Sequence, residues 1–256
     1  MDTEYLSQAP FQCKLDWGSQ GAQLAAGRGE IVVLVDTLSF STAVINAVHR
    51  DGIIHPCGDG ESPLEVALKI GGEPSVHRKQ VPAQGRFSLS PSSFDCIEAG
   101  TRVALWSPNG ANCSRSASPA PFVFLGAFVN AASLARIVSA TMESEKLAVT
   151  VIACGERVPL GENRFGEMRM AIEDYLAAGS ILLELSENRS PEAAVSVSAF
   201  EQNKSRIEKL IWESVSGREA RDGGFENDVR FATRLNVINA VPVLRQGAFV
   251  KYAPSL

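Results

Sequence analysis

The run "IVVLVD", Ile31–Asp36, limits the fold of this chain more than any other stretch. Five aliphatic residues with no polar one between them do not suit a half-exposed strand, which alternates apolar and polar. They suit a strand covered on both faces. "LAVTVIACG" (147–155) repeats the pattern, and "RVALWS" (102–107) and "FVFLGAF" (122–128) read as further strands. Helical periods lie between them. "STAVINAVHRDG" (41–52) sets Val44, Ala47 and Val48 at helical spacing before a stop at Gly52, and "NAASLARIVSATM" (130–142) is a second helix. In "EMRMAIEDYLAAGSILLEL" (167–185), Met168, Ala171, Ile172, Tyr175, Leu176, Gly179, Leu182 and Leu183 share one face. A broken helix is expected over 192–215 with Phe200, Ile207, Leu210, Ile211 and Val215 inward, and "GREARDGGFEND" (217–228) reads as a loop. Buried strands alternating with amphipathic helices predict a layered α/β fold. The polar segment "ATMESEK" (140–146) is the best lobe boundary, separating an N-terminal lobe, 1–142, from a C-terminal lobe, 143–256.

Composition excludes several function classes. A formal net charge of −5 over 256 residues offers no basic face for nucleic acid. One local cationic pocket can still hold a small anion. No apolar run approaches the roughly 20 residues of a membrane helix, and the acidic start "MDTEY" is unlike a signal peptide. The five cysteines are scattered without a CxxC pair, as expected of reduced cytoplasmic thiols rather than a disulfide or zinc framework.

Sharp phosphate motifs are missing. There is no P-loop, and Leu38 breaks the haloacid-dehalogenase DxDx[TV] pattern. Cys96 and Arg102 have Cys-x5-Arg spacing, but no strand leads into the cysteine and no glycine-rich cradle precedes the arginine. The three dispersed histidines argue against a multi-histidine centre.

Asp36 is the best candidate. A carboxylate at the C-terminal end of a buried strand, beside a helix start, lies where α/β proteins place ligands. Ser41, Thr42 and the helix N-terminus could hold a phosphate there, while Asp36 holds a hard cation. The plainer alternative is that Asp36 or Ser41 only caps the helix. "SPNGANCS" (107–114) is a turn whose Asn109-Gly110 pair supplies a positive-φ position, with Ser107, Asn109 and Gly110 as candidate ligand contacts. Glu156 and Arg157 end another buried strand, either as a solvated ion pair or as metal- and phosphate-binding groups. Periodicity puts Glu173 and Asp174 on a solvated acidic edge of their helix, yet their place after a glycine-bearing loop keeps a ligand role open.

Together these segments resemble the 2-phosphosulfolactate phosphatase (ComB) family. "LDWGSQGAQLAAGRGEIVVLVDTLSFSTAV" is similar to its leading G-x-x-G-A and D-V-L-R-A-[TS]-[ST]-T segments, and "SLSPSSF" to its N-S-P segment. "SPNGA", "GAFVNAASLA", "AIEDYLAAG" and "DVRFATRLNVINAVPVL" follow in family order. The resemblance implies a three-layer α/β/α fold with a mixed, largely buried sheet. It also implies Mg²⁺-dependent hydrolysis of a small phosphate ester, in that family 2-phosphosulfolactate on the route to coenzyme M. By position it implies catalytic roles for Asp36, Asn109, Glu173 and Asp174, with Asp36, Glu173 and Asp174 on the metal. Ser39, Ser41, Thr42, Ser107, Gly110, Asn130, Glu156 and Arg157 are the expected substrate contacts. Ser39 stands where the motif has arginine, so Arg157 or Arg164 is expected to bring the charge from another loop. The alternative is a small-anion-binding module of the same fold that no longer hydrolyses its ligand. A small phosphate or sulfonate substrate is the expected partner, with no nucleic acid or membrane, and a homodimer is left open.

Overall fold

The computed structural model describes residues 4–161, 164–185 and 188–253. Its strands are β1 (Cys13–Trp17), β2 (Ile31–Val35), β3 (Ile53–Cys57), β4 (Glu73–Pro74), β5 (Arg102–Trp106) and β6 (Val123–Gly126). They continue with β7 (Val149–Ala153), β8 (Glu156–Gly161), β9 (Arg164–Arg169), β10 (Pro242–Arg245) and β11 (Ala248–Lys251). The helices are α1 (Gly18–Gly27), α2 (Phe40–His49), α3 (Pro63–Ile70), α4 (Gly110–Ala117) and α5 (Ala131–Glu145). After them come α6 (Ile172–Leu183), α7 (Pro191–Asn203), α8 (Ile207–Trp212), α9 (Val215–Asp222) and α10 (Glu226–Ala232).

Nine strands form one mixed sheet in the order β1-β7-β2-β6-β10-β11-β3-β5-β4, while β8 and β9 make a separate hairpin. β2 lies parallel between β7 and β6, and its continuous hydrophobicity follows from two cores. Ile31, Val33 and Val35 pack with α5, α6 and α7 on one face, whereas Val32 and Leu34 pack with α1, α2 and α4 on the other. The result is an α/β fold of three layers, α/β/α, around a buried mixed sheet. No helix among the described residues is long and apolar enough to cross a membrane.

The division at residue 142 does not part this sheet, because β7 pairs with both β1 and β2. Segment 140–146 is instead the last turns of α5 and its left-handed C-cap, Lys146. The helix expected over 167–185 begins only at Ile172, since residues 164–169 form β9 and Met168 is 42% exposed. Helical periodicity ran on into the hairpin by coincidence of spacing. Residues 191–212 are helical with a break, as expected, but Val215 is 56% exposed, and the supposed loop 217–228 contains parts of α9 and α10.

The α6 helix is buried nearly all round, including Glu173 and Asp174, so the solvated-edge reading fails. It lies close against α7 at Gly179, where an added Cβ would come within 2.2 Å of the Ser196 carbonyl oxygen. Backbone cannot yield as a flexible side chain would. Gly179→Ala is therefore expected to cost about 1–3 kcal/mol through overpacking. Urea unfolding would show this as a lower midpoint, and an unchanged midpoint would mean that the two helices separate freely.

Candidate active site

Asp36 directly follows β2 and is 5% exposed. Its backbone and that of Ser41 are clasped, with the Ser41 N–H donating to the Asp36 carbonyl at 2.8 Å and the Asp36 N–H to Ser41 Oγ at 2.9 Å. The Asp36 carboxylate accepts from the Phe40 N–H at 3.3 Å and from the Gly110 N–H at 2.8 Å. The second bond joins the ends of β2 and β5, although four strands separate them in the sheet. In a flat sheet those strands would lie about 24 Å apart. The two ends meet because the sheet curls round a shared core, in which Val32 and Leu34 of β2 pack in one cluster with Ile54 of β3 and Val103 and Leu105 of β5. Gly110 is needed for this closeness, because a Cβ there would meet the Phe40 ring at 2.2 Å and Asp36 Oδ2 at 2.7 Å. It does not adopt the positive φ expected from its turn sequence.

A cavity of about 1090 Å³ opens over this junction. Asp36, Ser39, Ser107, Asn109, Glu156 and Arg157 line it, as does Arg78, which the sequence reading did not single out. The Asn109 side-chain amide donates to Glu156 Oε1 at 2.7 Å and the Arg157 backbone N–H to the same oxygen at 3.0 Å, whereas the Arg157 guanidinium turns elsewhere. Arg157 bonds Asp59 at 2.6 Å and lies over the Phe165 ring. The side chain of Arg164 lies outside the described residues. Arg78 Nη2 donates to Ser39 Oγ, while its Nε stands 3.5 Å from Asp228 Oδ2. Ser90 in turn donates to Asp228 Oδ1 at 2.5 Å. A guanidinium thus reaches Ser39 from the loop before β5, and no spacing rule links Arg78 to a partner 150 residues away.

Other expected site residues serve the scaffold and are not among those lining the cavity. Thr42 Oγ1 donates to the Thr37 carbonyl at 2.8 Å. Asn130 accepts from the Ala127 N–H and donates to the Leu125 and Ala240 carbonyls, which occupies both ends of its amide. Asp174 accepts from the Thr37 N–H at 2.7 Å through one oxygen and from the Gly155 N–H at 3.0 Å through the other. It holds the ends of β2 and β7 together from the first turn of α6.

Burial dominates the electrostatics. Desolvation raises the Asp36 pKa to about 6, helped by the Glu173 charge and opposed by the Gly110 and Phe40 N–H groups. It raises Glu156 to about 7, with Asp36 adding to the effect and the Asn109 amide opposing it. Glu173 and Asp174 are raised as well, again chiefly by burial.

Among the described residues, no three His, Cys, Asp or Glu side chains form a ready metal cage, although the Glu173 charge acts on Asp36 and both act on Asp174. Asp174 is turned toward backbone N–H groups instead. A different set of oxygens meets the needs of a hard cation. Asp36, Glu156 and Asn109 line one cavity, and Asn109 Oδ1 is buried with no hydrogen-bond partner. Mg²⁺ commonly takes one or two carboxylates and keeps several waters, and this donor set fits it.

The sequence profile of the 2-phosphosulpholactate phosphatase family matches residues 22–247, which hold all the cavity-lining residues and every strand of the main sheet but β1 and β11. This chain belongs to that family. The 2-phosphosulfolactate phosphatase of Methanocaldococcus jannaschii is 28% identical over 227 residues, which is 85% of this chain and 90% of that protein. The enzyme of the same name from Methanothermobacter thermautotrophicus is 27% identical, covering 85% and 88%. A probable 2-phosphosulfolactate phosphatase of Pseudothermotoga lettingae is 32% identical over 87 residues, 34% of this chain and 39% of that protein. Membership in this phosphatase family supports a hydrolase.

The raised carboxylates set a pH dependence. A carboxyl raised by folding stabilises the native state while protonated and loses that contribution as pH rises through its native pKa. For Asp36 the loss runs from its ordinary value of 3.8 to about 6, and for Glu156 from 4.5 to about 7. The metal-free protein should accordingly melt higher at pH 5.5 than at pH 8. Added Mg²⁺ should raise Tm more at pH 8, where protons no longer compete for the oxygens. A magnesium increment equal at both pH values in a thermal melt would contradict the assignment.

Proposed function

We propose that the cavity takes a small phosphate monoester and hydrolyses it with bound Mg²⁺. The observation that carries this reading is the grouping of Asp36, Glu156, Asn109 and Arg78 along one cavity, with Asn109 Oδ1 left unpartnered. Buried oxygens with surplus negative charge favour a cation, and a guanidinium favours an oxyanion. Asp36, Glu156 and Asn109 Oδ1 would hold Mg²⁺, whose chemistry when bound is charge neutralisation at a phosphoryl oxygen and acidification of water.

The remaining work belongs to the chain. Arg78 presents N–H groups to the phosphoryl oxygens, held from behind by Asp228 and supported by the Phe225 ring 5.3 Å away. The Ser107 hydroxyl, which accepts the Asn109 and Gly110 N–H groups at 3.2 and 3.1 Å, fixes the turn that carries Asn109. Asp174 and Gly155 fix the turn between β7 and β8, and Glu156 is the first residue of β8. Hydrolysis forms a bond from the water oxygen to phosphorus and breaks the ester P–O bond. The proton lost by water ends on the departing alcohol, and inorganic phosphate is the second product.

The substrate named by the relatives, 2-phosphosulfolactate, is the first ester to try, and a cytoplasmic reaction on a free small molecule accords with this reading. A non-hydrolysing anion-binding module is less favoured, because Arg78 at Ser39 Oγ keeps a guanidinium beside the motif position that serine occupies.

Phosphate release from a panel of esters, with Mg²⁺ and with EDTA, tests the assignment. Turnover should require Mg²⁺ and should vanish in Asp36→Asn. Arg78→Ala should weaken kcat/KM by about 10- to 100-fold, the worth of charged hydrogen bonds of about 1.5–3 kcal/mol. Full turnover in EDTA, or in Asp36→Asn, would overturn the reading.

A further inference from the structure

The cavity has a second region that phosphate chemistry does not use. Trp106, the last residue of β5, stands one residue before Ser107, whose hydroxyl lies 3.5 Å from Asp36 Oδ2. Its ring meets that of Phe165 on the hairpin with centroids 5.9 Å apart and planes tilted by 39°. Both rings are only partly buried, and both line the cavity together with Leu160, which is 58% exposed. Apolar side chains left in contact with water at a concave site mark a place for an apolar ligand group. The volume of about 1090 Å³ is at or above the roughly 300–1,000 Å³ of pockets that enclose drug-sized ligands, far more than a three-carbon ester fills.

Charge points the same way. Five carboxylates and three guanidiniums line the cavity. Of the guanidiniums, Arg157 is already matched by Asp59, Arg169 donates to the Met170 carbonyl and the Ser216 hydroxyl and offsets the charge of the buried Glu173, and Arg78 is the one backed by Asp228 at the phosphate end. Two carboxylates are taken up by the cation in the reading above. Little positive charge is then left to receive a second or third anionic group on the ester.

Resting on that phosphatase reading, we propose that the preferred substrate is a phosphate monoester of an uncharged alcohol with a planar aromatic group, which lies on Trp106 and Phe165. The ester oxygen sits at the polar floor, and the ring extends along the wall formed by the hairpin. This sets the chain apart from relatives whose printed substrate carries carboxylate and sulfonate beside its phosphate.

The test uses the magnesium-loaded protein and three alkyl esters with similar leaving groups: propyl phosphate, 3-phenylpropyl phosphate and 2-phosphoglycerate. Affinity by calorimetry and phosphate release are both measured. The phenyl ester should exceed propyl phosphate by about tenfold or more, as aromatic contact and area burial allow, and 2-phosphoglycerate should be the poorest of the three. Trp106→Ala should bring the phenyl-to-propyl ratio toward one. Phe165→Ala, on a hairpin outside the main sheet, should do the same and guards against misfolding of the first variant. A ratio near one in the wild type, a ratio unmoved by both substitutions, or the tightest binding for 2-phosphoglycerate would overturn the proposal. Phosphate release from none of the esters, with the affinity order intact, would remove the phosphatase reading and leave the aromatic wall standing.

Discussion

The hydrogen bond from the Gly110 N–H to the Asp36 carboxylate, 2.8 Å long, is the contact on which the site depends. It ties the parallel strands around β2 to the oppositely directed group of β3, β4 and β5, across the antiparallel pair β10 and β11. The sheet must curl round one core for those ends to meet, and any side chain at position 110 would hold them apart. Once they meet, Asn109 is carried to Glu156, and the turn after β5 faces the turn after β2. A ligand-binding crevice is a consequence of that one closure. Asp174 performs the matching task on the other side by holding β2 to the end of β7.

Using carboxylates for such joints has a physical cost that is visible in their proton affinities. Backbone N–H donors and, for Asp174, the N-terminal turn of α6 favour the charged form. Burial outweighs them in Asp36, Glu156, Glu173 and Asp174 alike, so all four hold protons more tightly than in water. Nearby positive charge is limited to arginines: Arg169 beside Glu173, and Arg78, which is itself faced by Asp228. In the proposed reading, a divalent cation at Asp36 and Glu156 would favour their charged forms. The orphaned Asn109 oxygen is the neutral counterpart, a buried acceptor with nothing to accept from.

Much of the scaffold was legible in the sequence because burial on both faces leaves an unmistakable run, as in β2 and β7. Strands that mix charge or proline into a short span were not read. β1 contains Lys14, buried only because Glu30 bonds its ammonium at 2.6 Å, and β3 contains Pro56. The end of β9, Glu167–Arg169, was merged into α6 because the spacing of Met168 satisfied a helical period by accident. At the site, Asp36 and Asn109 were visible as carboxylate and turn chemistry at strand ends. Glu173 and Asp174 were placed on the wrong face, since a fully enclosed helix has no solvated edge for its acids. Arg78 could not be found at all, because its role arises only when the chain brings its loop to Ser39.

The segments that resemble the family's motifs form connected chains of contacts in space. Ser90, from the Ser-Pro segment, holds Asp228, which opens the C-terminal segment, and Asp228 faces Arg78, which reaches the Ser39 hydroxyl of the strand-end motif. The weakest link in that chain is informative. Arg78 Nε and Asp228 Oδ2 lie 3.5 Å apart, and each lacks a hydrogen bond although both are buried. At that separation the charges still attract, but no directional bond fixes the guanidinium plane. Its orientation is set instead by the Ser39 hydroxyl on one side and the Phe225 ring on another. In the proposed reading, the guanidinium would meet an oxyanion without giving up a formed bond to Asp228. A carboxylate that attracts Arg78 without locking it is a reason for the C-terminal segment, distant in sequence from every strand-end loop, to belong to the site.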